Sequence, residues 1–224
     1  MAKRAPVAKS RLSPEGIVSS ALALADAEGL DAVTVRRLAQ EHGVTPMAMY
    51  WHFNDKDSLL DGIADALVGA VELPEPADQE WHVELHAILA AILAAVRPHP
   101  AVAGLALRRI LTSEPGLAIA ERALGLLRTA GFSAERAAEV GSFVLCAVIT
   151  LVTSEPGRAG PVLQGEAREQ MLRNKRASLA SLSPARYPNV LASASALVAC
   201  ADVDEYFGFN LDLLVQGIRG VQPA

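Results

Sequence analysis

Three ring side chains, Tyr50, Trp51 and His52, follow one another in the sequence and have the chemistry to bind nucleic acid. Tyr and His can form hydrogen bonds with phosphate oxygens, and an indole ring can pack against the sugar-phosphate wall. These rings end a short segment that begins with Thr45 and Pro46, a hydroxyl cap and a first-turn proline typical of a helix start. The pattern predicts a short, exposed recognition helix of a helix-turn-helix, which enters a DNA major groove.

Neighbouring residues could complete this surface. Thr34 is expected to cap the preceding helix, and Gly43 to supply the left-handed conformation of a tight turn. Arginines of the preceding helix could reach a guanine edge or a phosphate, and small apolar side chains could touch thymine methyl groups. The predicted DNA-binding residues are Arg36, Arg37, Thr45, Pro46, Met47, Ala48, Tyr50, Trp51, His52 and Lys56.

Two further helices must hold this motif in place. Ser13-Pro14-Glu15 has the cap, proline and acidic residue of a helix start, and Gly29 is expected to end that helix. Asn54 is predicted to cap a later helix whose apolar positions run from Leu59 to Val71. Phe53 is expected to pack underneath the motif.

Composition predicts an all-α fold. Hydrophobic residues make up 51% of the 224 residues but aromatic ones only 4%, so Ala, Leu and Val must build the core. Residues 1–12 are predicted to be a flexible basic arm, although an ordinary solubilising tail is an alternative. Residues 13–72 are predicted to form an N-terminal three-helix helix-turn-helix domain. After a proline-rich stretch, residues 73–224 are predicted to form a larger C-terminal helical ligand-binding and dimerisation domain.

Helices are predicted near residues 79–97, 100–111, 115–130, 133–153, 166–181 and 203–219. The second half of the 133–153 helix has no polar face, so its own chain or a second subunit must cover it. The last helix is also apolar on more than one side, and two such helices from each of two chains would form a four-helix interface. The predicted interface residues are Val144, Val148, Leu151, Leu211, Leu214, Val215 and Ile218.

A small-molecule effector is expected to bind in the second domain. The candidate pocket residues are Trp81, His86, Arg108, Phe143 and Ala147, and the apolar composition suggests a hydrophobic or amphipathic small molecule. His82 and His86 share a helix face and could bind a metal, but no third ligand is evident, so neither metal nor cofactor is predicted. Arg108 could instead be solvated, pair with an acid, or attract an anionic ligand.

Charge and cysteine content restrict the class of protein. The net charge is −5, but residues 1–60 carry seven basic and seven acidic residues, so the acidic excess lies outside the predicted DNA-binding part. The two cysteines, Cys146 and Cys200, indicate no disulfide framework. The apolar run 140–154 is shorter than the roughly 20 residues of a membrane span. Without an apolar signal segment, the chain is predicted to be cytoplasmic, with no membrane partner.

Residues 13–71 resemble the DNA-binding domain of the tetracycline-repressor (TetR) family. The resemblance rests on Thr-Val-Arg-Arg-Leu-Ala-Gln-Glu-His-Gly-Val at 34–44, Met-Tyr-Trp-His-Phe at 49–53 and Lys-Asp-Ser-Leu-Leu at 56–60. The Tyr-Trp-His triplet is most similar to the branch that contains the tetracycline repressor itself. Arg97-Pro98-His99-Pro100, residues 130–133 and residues 207–214 resemble that branch's regulatory domain more weakly. The resemblance implies a homodimer, a palindromic DNA operator and release from DNA when a small molecule binds.

The chain also departs from that branch. Tetracycline repressors hold a magnesium–drug chelate with a histidine and a glutamate, and those positions correspond to Ala103 and Thr150 here. Neither residue is a good metal ligand, so recognition of that chelate in the same way is not expected. Pro46, Met47 and Ala48 replace a more polar trio, which implies a different operator.

Three hypotheses follow from the sequence. The first is a ligand-responsive transcriptional repressor, which the motif and the resemblance favour. The second is a DNA-binding regulator without a small-molecule inducer. The third is an all-helical enzyme, which is disfavoured because the chain has no Gly-x-Ser-x-Gly, phosphate-loop or dinucleotide-binding motif.

Overall fold

In the computed structural model, which describes residues 12–158 and 165–221, every element is a helix, as predicted. The first part of the chain contains α1 (Pro14–Glu28), a 3-10 turn (Leu30–Ala32), α2 (Val35–Glu41), α3 (Pro46–Tyr50) and α4 (Lys56–Gly69). The rest contains α5 (Trp81–Val96), a 3-10 turn (Ala103–Arg108), α6 (Glu114–Thr129), α7 (Ala134–Thr153), α8 (Gly165–Ala180), α9 (Pro188–Ala192), α10 (Ala194–Val198) and α11 (Val203–Gly220). The predicted basic arm lies outside the described residues, apart from its last residue.

Local side-chain chemistry explains where the first helices start and stop. The Ser13 hydroxyl accepts a hydrogen bond from the Gly16 amide at 3.1 Å, and Gly29 ends α1 with φ of 90°. Thr34 caps α2 by accepting from the Arg37 amide at 3.1 Å. These contacts satisfy amides that a helix start leaves without an intrahelical partner.

The cap of α4 is Asp55, one residue later than the predicted Asn54. Its carboxylate accepts from the Ser58 amide at 2.7 Å, while the Ser58 hydroxyl accepts from the Asp55 amide at 3.2 Å. This reciprocal pair is a capping box, which Asn54 could not form because Ser58 is not three residues after it. The hydrogen bond from the Ser58 amide lowers the pKa of Asp55, because it stabilises the charged carboxylate.

The first four helices share one apolar core. Leu38, Met49, Leu59 and Ile63 are each almost completely buried. Phe53 packs beneath the motif, as expected, against Gly62 of α4. A Cβ atom added at that glycine would lie 2.9 Å from the Phe53 ring, so the ring can lie this close only because position 62 lacks a side chain.

The segment predicted as a helix over 100–111 is instead a 3-10 turn flanked by further turns. Its amides bond to carbonyls three residues earlier, as between Leu105 and Val102 and between Arg109 and Ala106. Pro98 and Pro100 break the chain just before it, so the apolar run is too short to continue as an α-helix. The short helices α9 and α10 were not predicted, because each is only five residues long.

Helices α5, α6, α7 and α11 pack together, and their buried residues belong to the same apolar core as those of the first four helices. An ion pair joins the buried Glu84 of α5 to the half-buried Arg122 of α6, and Arg122 also donates to the Pro74 carbonyl. These bonds fix the proline-rich stretch between α4 and α5 onto the second group of helices.

One described helix, α7, is long and apolar enough by length and composition to cross a membrane. A core helix of a globular protein meets the same criterion. Five α7 residues are buried against the chain's own helices, and its other side chains are half-buried or exposed.

Candidate DNA-binding surface and effector pocket

The recognition helix α3 presents large side chains outward because its one buried residue anchors the other side. Met49 is 2% exposed, whereas Met47 is 69% and Trp51, which caps the helix at its C-terminal end, is 86% exposed. Tyr50 is 44% exposed and lies on the open side too. The Thr45 hydroxyl caps the helix by accepting from the Ala48 amide at 3.4 Å.

The turn between α2 and α3 has the geometry that the sequence predicts. Gly43 adopts φ of 63°, and the Val44 amide donates to the Ala39 carbonyl at 2.9 Å. Leu38 and Ala39 are buried beneath the turn, and α3 packs against α2. The two helices therefore form a rigid unit that can present α3 to a groove.

The two adjacent arginines of α2 differ in their partners. Arg37 is held by two carboxylates, Glu28 at 2.8 Å and Glu41 at 3.0 Å. Arg36 is exposed and forms no ion pair with any residue in the described ranges. The prediction that both arginines contact DNA stays a prediction, and for Arg37 it requires the guanidinium to leave Glu28 and Glu41.

The remaining predicted DNA contacts lie at or near the surface. Pro46 and Lys56 are exposed, and Lys56 is the first residue of α4. Ala48 and His52 are half-buried, which leaves each of them a partial contact area.

A cavity of about 140 Å³ lies between α5, α6, α7 and the segment that follows the second 3-10 turn. Small side chains create it, because Ala120, Ala123, Ala138 and Gly141 leave space between helices that larger residues would fill. The lining consists of Leu89, Ile92, Ile110, Leu111, Ile119, Ala120, Ala123, Leu124, Ala138, Gly141, Ser142, Val144 and Leu145.

None of the five predicted pocket residues lines this cavity. His86 instead pairs with Asp212 at 3.2 Å, and Trp81 packs its ring edge-on against His82. Arg108 pairs with Asp61 of α4, which corresponds to the ion-pair alternative.

The two predicted pocket residues on α7 lie outside the lining for a different reason. Phe143 is 63% exposed, and Ala147 is half-buried outside the lining, so both lie on other sides of α7 than the cavity. The alternation of small and large residues along α6 and α7 is a signal for the lining of this cavity, but that pattern is also typical of close helix packing.

The residues at the magnesium–drug positions do not fit that group. Ala103 is fully buried and has only a methyl side chain. Thr150 is exposed, and its hydroxyl donates to the Cys146 carbonyl at 2.8 Å. Within residues 12–158 and 165–221, no three His, Cys, Asp or Glu side chains form a group that could hold a metal ion. The cavity itself has no carboxylate or imidazole in its wall.

Most predicted interface residues are in fact core residues. Val144, Val148, Leu211, Val215 and Ile218 are each at most 5% exposed within the single chain. Each helix turns these residues towards its neighbours in the same chain, so they cannot form the surface of contact with a second subunit.

The opposite faces of the same two helices remain uncovered. Phe143 and Cys146 are exposed on α7, and Phe209 and Leu213 are 65% and 58% exposed on α11. We call these four residues the α7–α11 face. The predicted Leu151 and Leu214 are half-buried, so they can still lie at its border.

Polar contacts join α4 and α1 to the segment between α5 and α6. Arg109 donates to Asp65 at 2.7 Å, and this hydrogen bond raises the pKa of the arginine because it favours the charged form. A second contact joins His99 to Asp26 of α1 at 2.7 Å. Ile110 lines the cavity and directly follows Arg109 in the sequence. A residue of the cavity wall is therefore bonded to the residue that contacts α4.

Comparison with known proteins agrees with this arrangement. Residues 17–63 match the model of bacterial regulatory proteins of the tetR family, and residues 73–221 match the tetracyclin repressor-like C-terminal domain. An HTH-type transcriptional regulator of Saccharopolyspora erythraea is 33% identical over 147 residues, which is 66% of this chain and 62% of that relative.

Two longer matches cover nearly the whole chain. The class C tetracycline repressor protein of Escherichia coli is 28% identical over 94% of this chain and 92% of that protein. The crystal structure of the TetR family protein ActR from Streptomyces coelicolor, in complex with actinorhodin, is 29% identical with a TM-score of 0.73. That match covers 94% of this chain and 96% of ActR.

The helix-turn-helix with its exposed recognition helix, the helical second half and both family matches lead to the same conclusion. The chain belongs to the tetracycline-repressor (TetR) family of bacterial regulatory proteins and is a DNA-binding transcriptional regulator.

Proposed function

We propose that the protein represses transcription as a homodimer on a palindromic operator and leaves that operator when an apolar or amphipathic small molecule fills its cavity. The observation that carries this proposal is a recognition helix and an apolar cavity in one chain, joined through the Arg109–Asp65 contact. It is a ligand-responsive repressor, because the relatives include a tetracycline repressor and a ligand-bound family member.

The DNA-reading step rests on the exposed side chains around α3. Tyr50 and Lys56 contact phosphates, Trp51 packs against the backbone, and Met47 reaches thymine methyl groups. Arg36 supplies the cation of α2, since Arg37 is bound to Glu28 and Glu41.

Dimerisation rests on the α7–α11 face. Exposed large apolar groups on neighbouring helices favour a contact with a second copy, which would bury them. Two copies would bring four helices together, and a twofold axis would then match the symmetry of a palindromic operator. The protein acts in the cytoplasm, where its DNA lies.

The effector step rests on the position of the cavity. A ligand between α5, α6 and α7 contacts the wall that continues into Arg109, which is bound to α4. It must bind the released form more tightly than the DNA-bound form, and a coupling of about 1–3 kcal/mol is typical of such switches.

The alternative regulator without an inducer is less well supported, because it gives the apolar cavity no role. An enzymatic role has no support either, since the cavity wall carries no nucleophile–base pair and no charged side chain.

Selection from a random duplex pool at fixed salt tests the proposal. We expect an enriched palindrome whose half-site centres are about 34–36 Å apart. Lys56→Ala should weaken binding to that sequence, while Leu117→Ala, on exposed α6 surface, should not. A folded, ligand-free dimer that enriches no sequence would contradict the repressor function.

A further inference from the structure

The wall of the cavity has almost no polar chemistry. Of its thirteen lining residues, twelve are aliphatic residues or glycine, and Ser142 supplies the one polar side chain. Ser142 is exposed, so its hydroxyl lies at the rim rather than at the bottom of the cavity. Peptide groups of the lining helices are bonded along those helices, so they offer a ligand few hydrogen-bonding positions.

The two arginines adjacent in sequence to lining residues already have partners. Arg122, next to Ala123, is bound to Glu84 and to the Pro74 carbonyl. Arg109, next to Ile110, is bound to Asp65. A carboxylate that enters the cavity would therefore lose its water and find no free cation, which strongly disfavours its binding.

The volume restricts the size of the part of the ligand that the cavity encloses. The cavity measures about 140 Å³, and an engineered apolar cavity of about 150 Å³ in another protein binds benzene. Leu111 lines the cavity and is 66% exposed, so the opening lies on the side of Leu111 and Ser142.

We propose that the effector is uncharged and mainly hydrocarbon, with a core the size of one aromatic ring or a short alkyl chain. It carries at most one hydrogen-bonding group, which meets the Ser142 hydroxyl at the rim. The regulatory meaning of this inference rests on the proposed function, but the binding chemistry does not.

The test uses the full-length, ligand-free protein and three probes with the same ring: toluene, p-cresol and benzoate. Ligand-observed NMR titrations measure each affinity. We expect toluene and p-cresol to bind, and benzoate to bind about a hundredfold more weakly or worse. Ser142→Ala should weaken p-cresol but leave toluene unchanged.

A matched pair of variants on α6 locates the site. Ala123→Leu fills the cavity and should abolish toluene binding, whereas Ala118→Leu adds the same volume on an exposed position of the same helix and should have no effect. Circular dichroism checks that both variants fold. If Ala123→Leu does not fold, the Ser142→Ala comparison, which changes an exposed residue, still decides the outcome.

Benzoate binding as tightly as toluene would overturn the inference, as would toluene binding that the cavity-filling variant leaves intact. Operator binding is measured beside these titrations and separates the two proposals. Release of a selected operator by charged compounds alone would overturn the effector class and leave the repressor function standing. Toluene binding in a protein that selects no operator would overturn the repressor function and leave the ligand chemistry of the cavity standing.

Discussion

The two adjacent arginines of α2 differ in whether an ion pair already binds the guanidinium that could contact DNA. Both are exposed cations of the same type, but Arg37 is held by Glu28 and Glu41, whereas Arg36 forms no ion pair with a described residue. To reach DNA, Arg37 would have to leave two carboxylates that also repel the phosphates.

We therefore expect Arg36→Ala to lower operator affinity by about tenfold, the scale of one good base or phosphate contact. Arg37→Ala should change affinity by less than about threefold, because Glu28 and Glu41 already bind its guanidinium and it then contributes no contact to DNA. Fluorescence anisotropy at several salt concentrations measures both, and only Arg36→Ala should reduce the salt slope. Equal losses in the two variants would contradict this assignment.

Asp55 permits a residue-level prediction on pH. Its pKa is lowered in the folded chain, because the ionised carboxylate accepts the Ser58 amide. A lowered pKa means that the carboxylate stabilises the fold above the ordinary Asp value of about 3.9, and that this contribution is lost as pH falls through the lower folded value.

Thermal unfolding measured between about pH 2 and pH 6 tests this effect against Asp55→Asn, which keeps a capping oxygen but cannot titrate. The wild type should lose more stability than the variant over the acidic part of that range. Parallel curves for the two proteins would show that this cap has no proton-linked contribution.

At the scale of elements, the uncovered faces of α7 and α11 carry the expected dimer contact. We expect Leu213→Glu to dissociate the dimer, because it places a charge where two apolar faces would meet. Leu117→Glu is the control, since it adds the same charge to an exposed leucine on α6. Sedimentation velocity distinguishes dimer from monomer. A Leu213→Glu protein that sediments as the wild-type dimer would place the interface elsewhere.

The same two helices show what the sequence could predict and what it could not. Their existence and approximate bounds followed from apolar runs between clear caps such as Ser133 and Asp202. What the apolar stripe of each helix packs against did not follow, because burial in the chain's own core and burial against a second subunit require the same spacing. Val144 and Leu211 were therefore assigned to the interface, although they are buried in the chain's own core.

The recognition helix was more predictable than the cavity for a physical reason. The recognition helix is set by local signals, the Thr45 cap, Pro46 and Gly43, which lie within one short stretch. The cavity results from small residues on three separate helices that meet only after folding, such as Ala120 of α6 and Ala138 of α7. The spacing of residues in the sequence does not show which helices will pack together.

At the scale of the whole molecule, the cavity and α4 are joined by a short path. Ile110 lines the cavity, the preceding Arg109 binds Asp65 of α4, and α4 begins with Lys56 beside the recognition helix. A ligand that favours one position of this segment would thus bias the position of α4. Linkage requires the reverse effect as well, so operator DNA should weaken ligand binding by the same factor.

We expect operator duplex to lower the affinity of the wild-type protein for toluene by about 5-fold to 150-fold, the usual range of such coupling. Asp65→Asn should shrink this ratio, because the Arg109 side chain then loses its charged partner on α4. Toluene affinity without DNA should stay unchanged, since Asp65 does not line the cavity.

Asp31→Asn, which changes an exposed aspartate away from this contact, is the control and should keep the full ratio. NMR titrations with and without the duplex give the four affinities for each comparison. An unchanged ratio in Asp65→Asn would contradict coupling through the Arg109–Asp65 ion pair.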